Sequence, residues 1–239
     1  SVQPMPAFDL RPFADLGGDF TLLDQGGDRF ALQDLRGRSA LLFFGYTFCP
    51  DFCPTTLSRL VRVKQLLGVD ADRLAFIFIS VDPQRDAPEV LRQYLDYFPL
   101  DALGLTGTRA DVDSVVALYS AQYEVGAANA QGSYAVDHST YVYLIDALGQ
   151  VRYLFAHDDR LEDMVAVLRV LWSGAADTDA RLMVDDALLQ VRDLGAYGCG
   201  ALGPGLDEDY RFWSRRGASK EAAAVARELQ PAFRYGLDQ

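Results

Sequence analysis

Residues 40–57 read ALLFFGYTFCPDFCPTTL, and the fold turns on how that stretch divides. Ala40 to Tyr46 is apolar without alternation, the pattern of a central strand covered on both faces. Pro54 sits where a helix can start, because its missing N–H costs nothing in the first turn. Leu57, Leu60, Val61 and Leu67 then recur at helical spacing, and Gly68 supplies the stop. A buried strand therefore runs straight into a helix, with Cys49 and Cys53 at the corner.

Working outward, the same alternation continues. Leu74 to Val81, LAFIFISV, is a second buried strand. Asp86 is placed to cap a helix carrying Val90, Leu91, Tyr94, Leu95 and Phe98, which stops before Pro99. Residues 102–107, ALGLTG, make a short strand or turn, and residues 110–123 another amphipathic helix. Residues 124–138, EVGAANAQGSYAVDH, are small and polar and read as a loop. STYVYLID and VRYLFAH follow, β-branched and aromatic, joined by ALG as a hairpin. A helix from Leu161 to Trp172 closes this region. Upstream, two short strands flank a turn at Gly26 and Gly27. The expected class is α/β: a mixed sheet with helices on both faces.

The ends differ from this core. Residues 1–16, with prolines at 4, 6 and 12, read as an extended leader. The core is expected over residues 17–174. Residues 175–239 read as a helical extension: Ala180, Val184, Leu188 and Val191 form a stripe, a glycine-rich loop holds Cys199, and a last short helix spans residues 219–233.

Composition narrows the function. The chain has 239 residues and a formal net charge of −12, which argues against a nucleic-acid partner, since phosphate binding needs basic patches. No apolar run approaches the ~20 residues of a membrane span. Residue 1 is serine, so a signal peptide or anchor lost upstream is compatible with the chain. Three cysteines are an odd number, leaving at least one unpaired within a monomer.

Cys49 and Cys53 stand one helical turn apart, at a strand-to-helix corner where unpaired backbone N–H groups and the helix dipole favour thiolate. A local disulfide would close a very short loop and stabilise little. A redox pair is a better reading, although thioredoxin-type dithiols have two intervening residues and this pair has three. A metal clamp needs a third ligand. Zinc sites with two cysteines generally show a second pair nearby, whereas copper(I) is satisfied by two thiolates and one imidazole. The chain has two histidines. His138 lies at a loop-to-strand junction, and such junctions cluster at one end of an α/β sheet. Asp137 is placed to orient its imidazole.

Three blocks, LLFFGYTFCPDFCPTTL, SVDPQRDAPEVLRQY and VDHSTYVYLID, resemble in content and order the signature blocks of the SCO/SenC family of copper chaperones. The resemblance runs from about Gly17 to Trp172. It implies a thioredoxin-like fold and copper, as Cu(I), Cu(II) or both, held by Cys49, Cys53 and His138. It also implies a membrane-anchored protein in the periplasm or otherwise outside the cytoplasm. The implied role is maturation of the binuclear copper centre of cytochrome c oxidase, with the oxidase's copper-bearing subunit or another copper chaperone as partner. The rival reading is an enzyme: a thiol-disulfide oxidoreductase in which Cys49 and Cys53 keep target cysteines reduced. The chain departs from the family pattern at Phe48, where many members carry a small polar residue or histidine, and in its long tail.

Other residues receive plainer expectations. Asp82 follows a buried strand and lines the site or offers a weak oxygen ligand to copper(II), or simply forms an Asp-Pro turn. Arg85 fixes the loop. His157, beside Asp158 and Asp159, reads as a surface residue and Cys199 as a bystander thiol. Met5, Met164 and Met183 are too far apart in sequence for a methionine-rich copper motif.

Overall fold

The computed structural model describes residues 8–173. Its strands are β1 (Thr21–Asp24), β2 (Arg29–Ala31), β3 (Ser39–Gly45), β4 (Leu74–Ser80), β5 (Leu103–Thr106), β6 (Tyr123–Val125), β7 (Val136–His138), β8 (Val142–Ile145) and β9 (Val151–Phe155). Its α-helices are α1 (Phe52–Leu67), α2 (Pro88–Leu95), α3 (Arg109–Leu118) and α4 (Leu161–Trp172).

Seven strands form one mixed sheet in the order β2-β1-β5-β4-β3-β8-β9. The β5-β4-β3 centre is parallel and every other pairing is antiparallel. All seven residues of β3 and all seven of β4 are buried. Unalternating apolar runs require this, because both faces are covered. Side chains alternate along β3, so Phe43 and Phe44 face opposite ways. Phe43 packs edge-on against Phe78, which in turn meets Tyr94 of α2. Phe44 meets Tyr119, at the end of α3. Helix α1 packs on α4. Burial of each such large apolar side chain contributes about 1.5–3 kcal/mol.

The structure moves several expected boundaries. Helix α1 begins at Phe52 with Asp51 as its N-cap, so Cys53 lies inside the first turn and Pro54 is its third residue. Helix α2 starts at Pro88 with Ala87 at the cap. Asp86 therefore does not cap it; one residue too early, its side chain turns into the core. The stretch read as one loop from 124 to 138 contains β7 and most of β6, which pair as a separate two-stranded ribbon. The leader is not wholly extended from the core either: Leu10 and Leu16 are buried, and the Phe13 N–H donates to the Val151 carbonyl. Met5, Met183, Cys199 and the helices expected beyond 175 lie outside the described residues.

Candidate metal centre

The centre forms where the carboxyl end of β3, the first turn of α1 and the end of β7 meet. Beyond Gly45 the chain leaves the sheet, and the Cys49 N–H donates to the Tyr46 carbonyl in a tight turn. The corner is tied down by a buried carboxylate: Asp86 accepts from the Thr47 N–H (2.9 Å), the Thr47 hydroxyl (2.6 Å) and the Ser80 hydroxyl (2.6 Å). Burial pushes the Asp86 carboxyl above the ordinary carboxylate range, against the pull of those Ser80 and Thr47 hydrogen bonds.

Cys49, Cys53 and His138 are each at least 96 % buried. One sulfur from each cysteine and one ring nitrogen of His138 lie within 4.8 Å of one another. The Cys53 Sγ is 3.5 Å from His138 Nε2. The other ring nitrogen, Nδ1, is 3.0 Å from the Ser139 carbonyl. A carbonyl only accepts, so in the neutral ring Nδ1 carries the proton and Nε2 presents its lone pair to the sulfurs. Metal–sulfur and metal–nitrogen bonds of about 2.0–2.3 Å span at most about 4.6 Å between two donors, so a small closing movement of these side chains brings all three onto a single ion. Two thiolates and an imidazole suit a soft ion such as copper(I). The residues thus fit the metal by distance, by donor type and by a fixed imidazole tautomer.

Cys49, Cys53 and His138, singled out from the sequence, are brought together by the fold, whereas the contact on the far side of the imidazole comes from another group than expected. Asp137 was expected to orient the imidazole; the Ser139 carbonyl occupies that position, and the buried Asp137 Oδ1 has no hydrogen-bond partner. On a strand, residue 137 points away from 138. Asp82 is fully buried and engages Arg85 in an ion pair, the Tyr134 hydroxyl at 3.0 Å and the Arg109 guanidinium at 3.8 Å. His157 is not a plain surface residue. Its ring packs edge-on against Phe52, centroids 4.8 Å apart, and its buried Nδ1 has no partner. Burial lowers its pKa, and the Arg59 guanidinium lowers it further, against Asp158. The segment after β9 turns back under the first turn of α1, which no local pattern announces.

Two residues escaped the sequence reading. A Cβ on Gly45 would lie 2.7 Å from the Cys53 sulfur and 2.8 Å from the Phe78 ring, so the close approach of α1 to β3 requires glycine there. Asp51, between the cysteines, has its carboxyl raised by burial and by the charge of Cys49, partly offset by the Thr55 hydroxyl.

A model of the SCO1/SenC family matches residues 9–173. The chain is 36% identical over 155 residues to the SCO2-like protein of Rickettsia felis, covering 64% of this chain and 76% of that one. Its fold is similar to that of copper-bound Bradyrhizobium japonicum ScoI, with a TM-score of 0.61 and 37% identity across 65% of this chain and 99% of that one. Copper-bound yeast Sco1 gives a TM-score of 0.59 and 31% identity across 70% and 97% of the two chains. The thioredoxin-like sheet and the extent of the match, nearly all of the described residues, lead to one conclusion: this chain belongs to the SCO1/SenC family.

Proposed function

We propose that the protein is a copper chaperone, with copper as its cargo and Cys49, Cys53 and His138 as its ligands. The observation that carries this reading is the buried meeting of two sulfurs and an imidazole nitrogen within 4.8 Å. The two relatives solved with copper bound support it. Cargo would enter as the two thiols lose their protons to solvent and the neutral imidazole offers Nε2, so affinity rises with pH through the thiol titrations. Release is ligand exchange, in which donors on the acceptor displace the three ligands one at a time. The acceptor is a copper-bearing subunit of cytochrome c oxidase or another copper chaperone, outside the cytoplasm. No helix among the described residues is long and apolar enough to cross a membrane.

A second reading draws on the same geometry. Cys49 and Cys53 stand as two thiols rather than a disulfide. A thiol-disulfide oxidoreductase would use that dithiol to reduce a partner disulfide, delivering two electrons and two protons and closing the Cys49–Cys53 bond. Copper titration of the reduced protein separates the readings. For a chaperone, Cys49→Ala or Cys53→Ala abolishes tight binding and His138→Ala weakens it. Unchanged affinity and spectrum in His138→Ala would remove the imidazole from the site, and disulfide reduction that survives in that variant would favour the enzyme.

A further inference from the structure

His138 is separated from Cys53 by 85 positions, and β7, which carries it, has three residues and belongs to the small ribbon rather than the main sheet. The hydrogen-bond ladder of β7 runs to β6. Something else must seat this arm against the cysteine corner, and the contacts converge on Arg85. Its guanidinium carbon lies 3.6 Å from the centroid of the Tyr134 ring, 4.8 Å from that of Phe48 and 5.6 Å from that of Tyr46. Its Nη1 donates to the Tyr134 carbonyl at 2.9 Å, and its Nε pairs with the buried Asp82. The other Asp82 oxygen accepts from the Tyr134 hydroxyl at 3.0 Å.

Tyr134 is thus held by its carbonyl, its ring face and its hydroxyl. Two residues on, the Val136 N–H donates to the Tyr46 hydroxyl at 3.3 Å. The Tyr46 ring meets the His138 imidazole edge-on, centroids 5.8 Å apart. Tyr46 and Phe48 belong to the cysteine corner, and Tyr134 and Val136 to the histidine arm. A planar cation that stacks on aromatic faces while its edge forks to a carboxylate and a carbonyl suits this junction. A lysine ammonium offers neither the plane nor the fork.

We propose that Arg85 is a positioning residue that joins the histidine arm to the cysteine corner and so delivers the third donor to the centre. This rests on the copper reading above only for its effect on affinity; the clamp itself exists without metal. The predicted consequence is specific. Arg85→Lys keeps the charge but loosens the arm, so in the metal-free protein the amides of Val136 and His138 exchange with solvent about tenfold faster. Copper(I) affinity, measured against a competing chelator, falls roughly tenfold or more, as for other supporting partners of metal ligands.

The deciding experiment adds His138→Ala alone and with Arg85→Lys. If Arg85 acts through His138, the lysine substitution lowers affinity in the wild-type background and adds nothing once His138 is gone. Equal losses in both backgrounds, or unchanged exchange at residues 136 and 138, would overturn the proposal. If His138→Ala alone leaves affinity unchanged, the ligand assignment fails instead, and the exchange measurement still decides the role of Arg85. Should Arg85→Lys not fold, Tyr134→Leu removes the stacked ring and the hydroxyl from the other side, and the same outcomes apply.

Discussion

At the scale of single residues, the centre depends as much on what is missing as on what binds. Gly45 has no side chain, and the Cys53 sulfur and Phe78 ring lie where one would begin. Gly45→Ala forces both to move, at a cost of about 1–3 kcal/mol for overpacking. Its copper complex is expected to be weaker, with an altered charge-transfer spectrum. Adding Phe78→Leu makes room for the ring clash alone, so stability recovers in part while the spectrum stays altered. A spectrum identical to wild type would show that the sulfur tolerates the added carbon.

His157 gives a pH signature. Its ordinary value is 6.5, and burial against Phe52 with Arg59 nearby lowers it in the folded protein. The folded state then binds fewer protons than the unfolded chain as pH falls below about 6.5, so this contribution is complete above that value and is lost below it. His157→Gln removes it. Denaturant midpoints measured between about pH 7 and pH 5 should fall less in the variant than in wild type; parallel falls would exonerate His157.

Among the elements, the junction after β3 is held by a buried acid rather than a helix cap. Asp86→Ala leaves the Thr47 N–H and two hydroxyls without their acceptor, and each such buried group costs about 1–3 kcal/mol. The expected result is a clear drop in the denaturant midpoint with an unchanged slope, and a smaller drop for Asp86→Asn, which keeps one acceptor oxygen. A loss within about 0.5 kcal/mol, the range of ordinary surface changes, would contradict the strap.

Elements were legible from sequence in proportion to the strength of their pattern. The continuous apolar runs of β3 and β4, the β8–β9 hairpin and the α4 stripe were read closely, α4 with the same ends. The β6–β7 ribbon was not, because strands of three residues are too short to show a period. The start of α1 was misplaced by two residues because Pro54 is tolerated throughout the first turn, not only at its first position. Cys49, Cys53 and His138 could be singled out by donor chemistry and rarity. Ser139 and Gly45 could not, and Arg85 was read only as fixing its loop, since a carbonyl, a close approach and a stacked cation are properties of the assembled fold.

In the described molecule, the separate β6–β7 ribbon carries His138 and the seven-stranded sheet organises the rest. Its parallel centre places Cys49, Asp82 and the start of α1 at the carboxyl ends of β3 and β4, where α/β sheets gather their ligands. On the far side of β8, Arg152 on β9 forms a buried pair with Asp146 at 2.9 Å and also donates to the Leu10 carbonyl. That contact anchors the segment before β1, which is why a stretch with leader-like composition packs on the core from Phe8 onward.

The most direct test of the account is X-ray absorption at the copper edge of the reduced, copper(I)-loaded protein, alongside His138→Ala. The account predicts a shell of two sulfurs and one nitrogen, with the nitrogen lost in the variant and both sulfurs kept. A shell containing only sulfur in the wild-type protein, or one that is the same in both proteins, would contradict it.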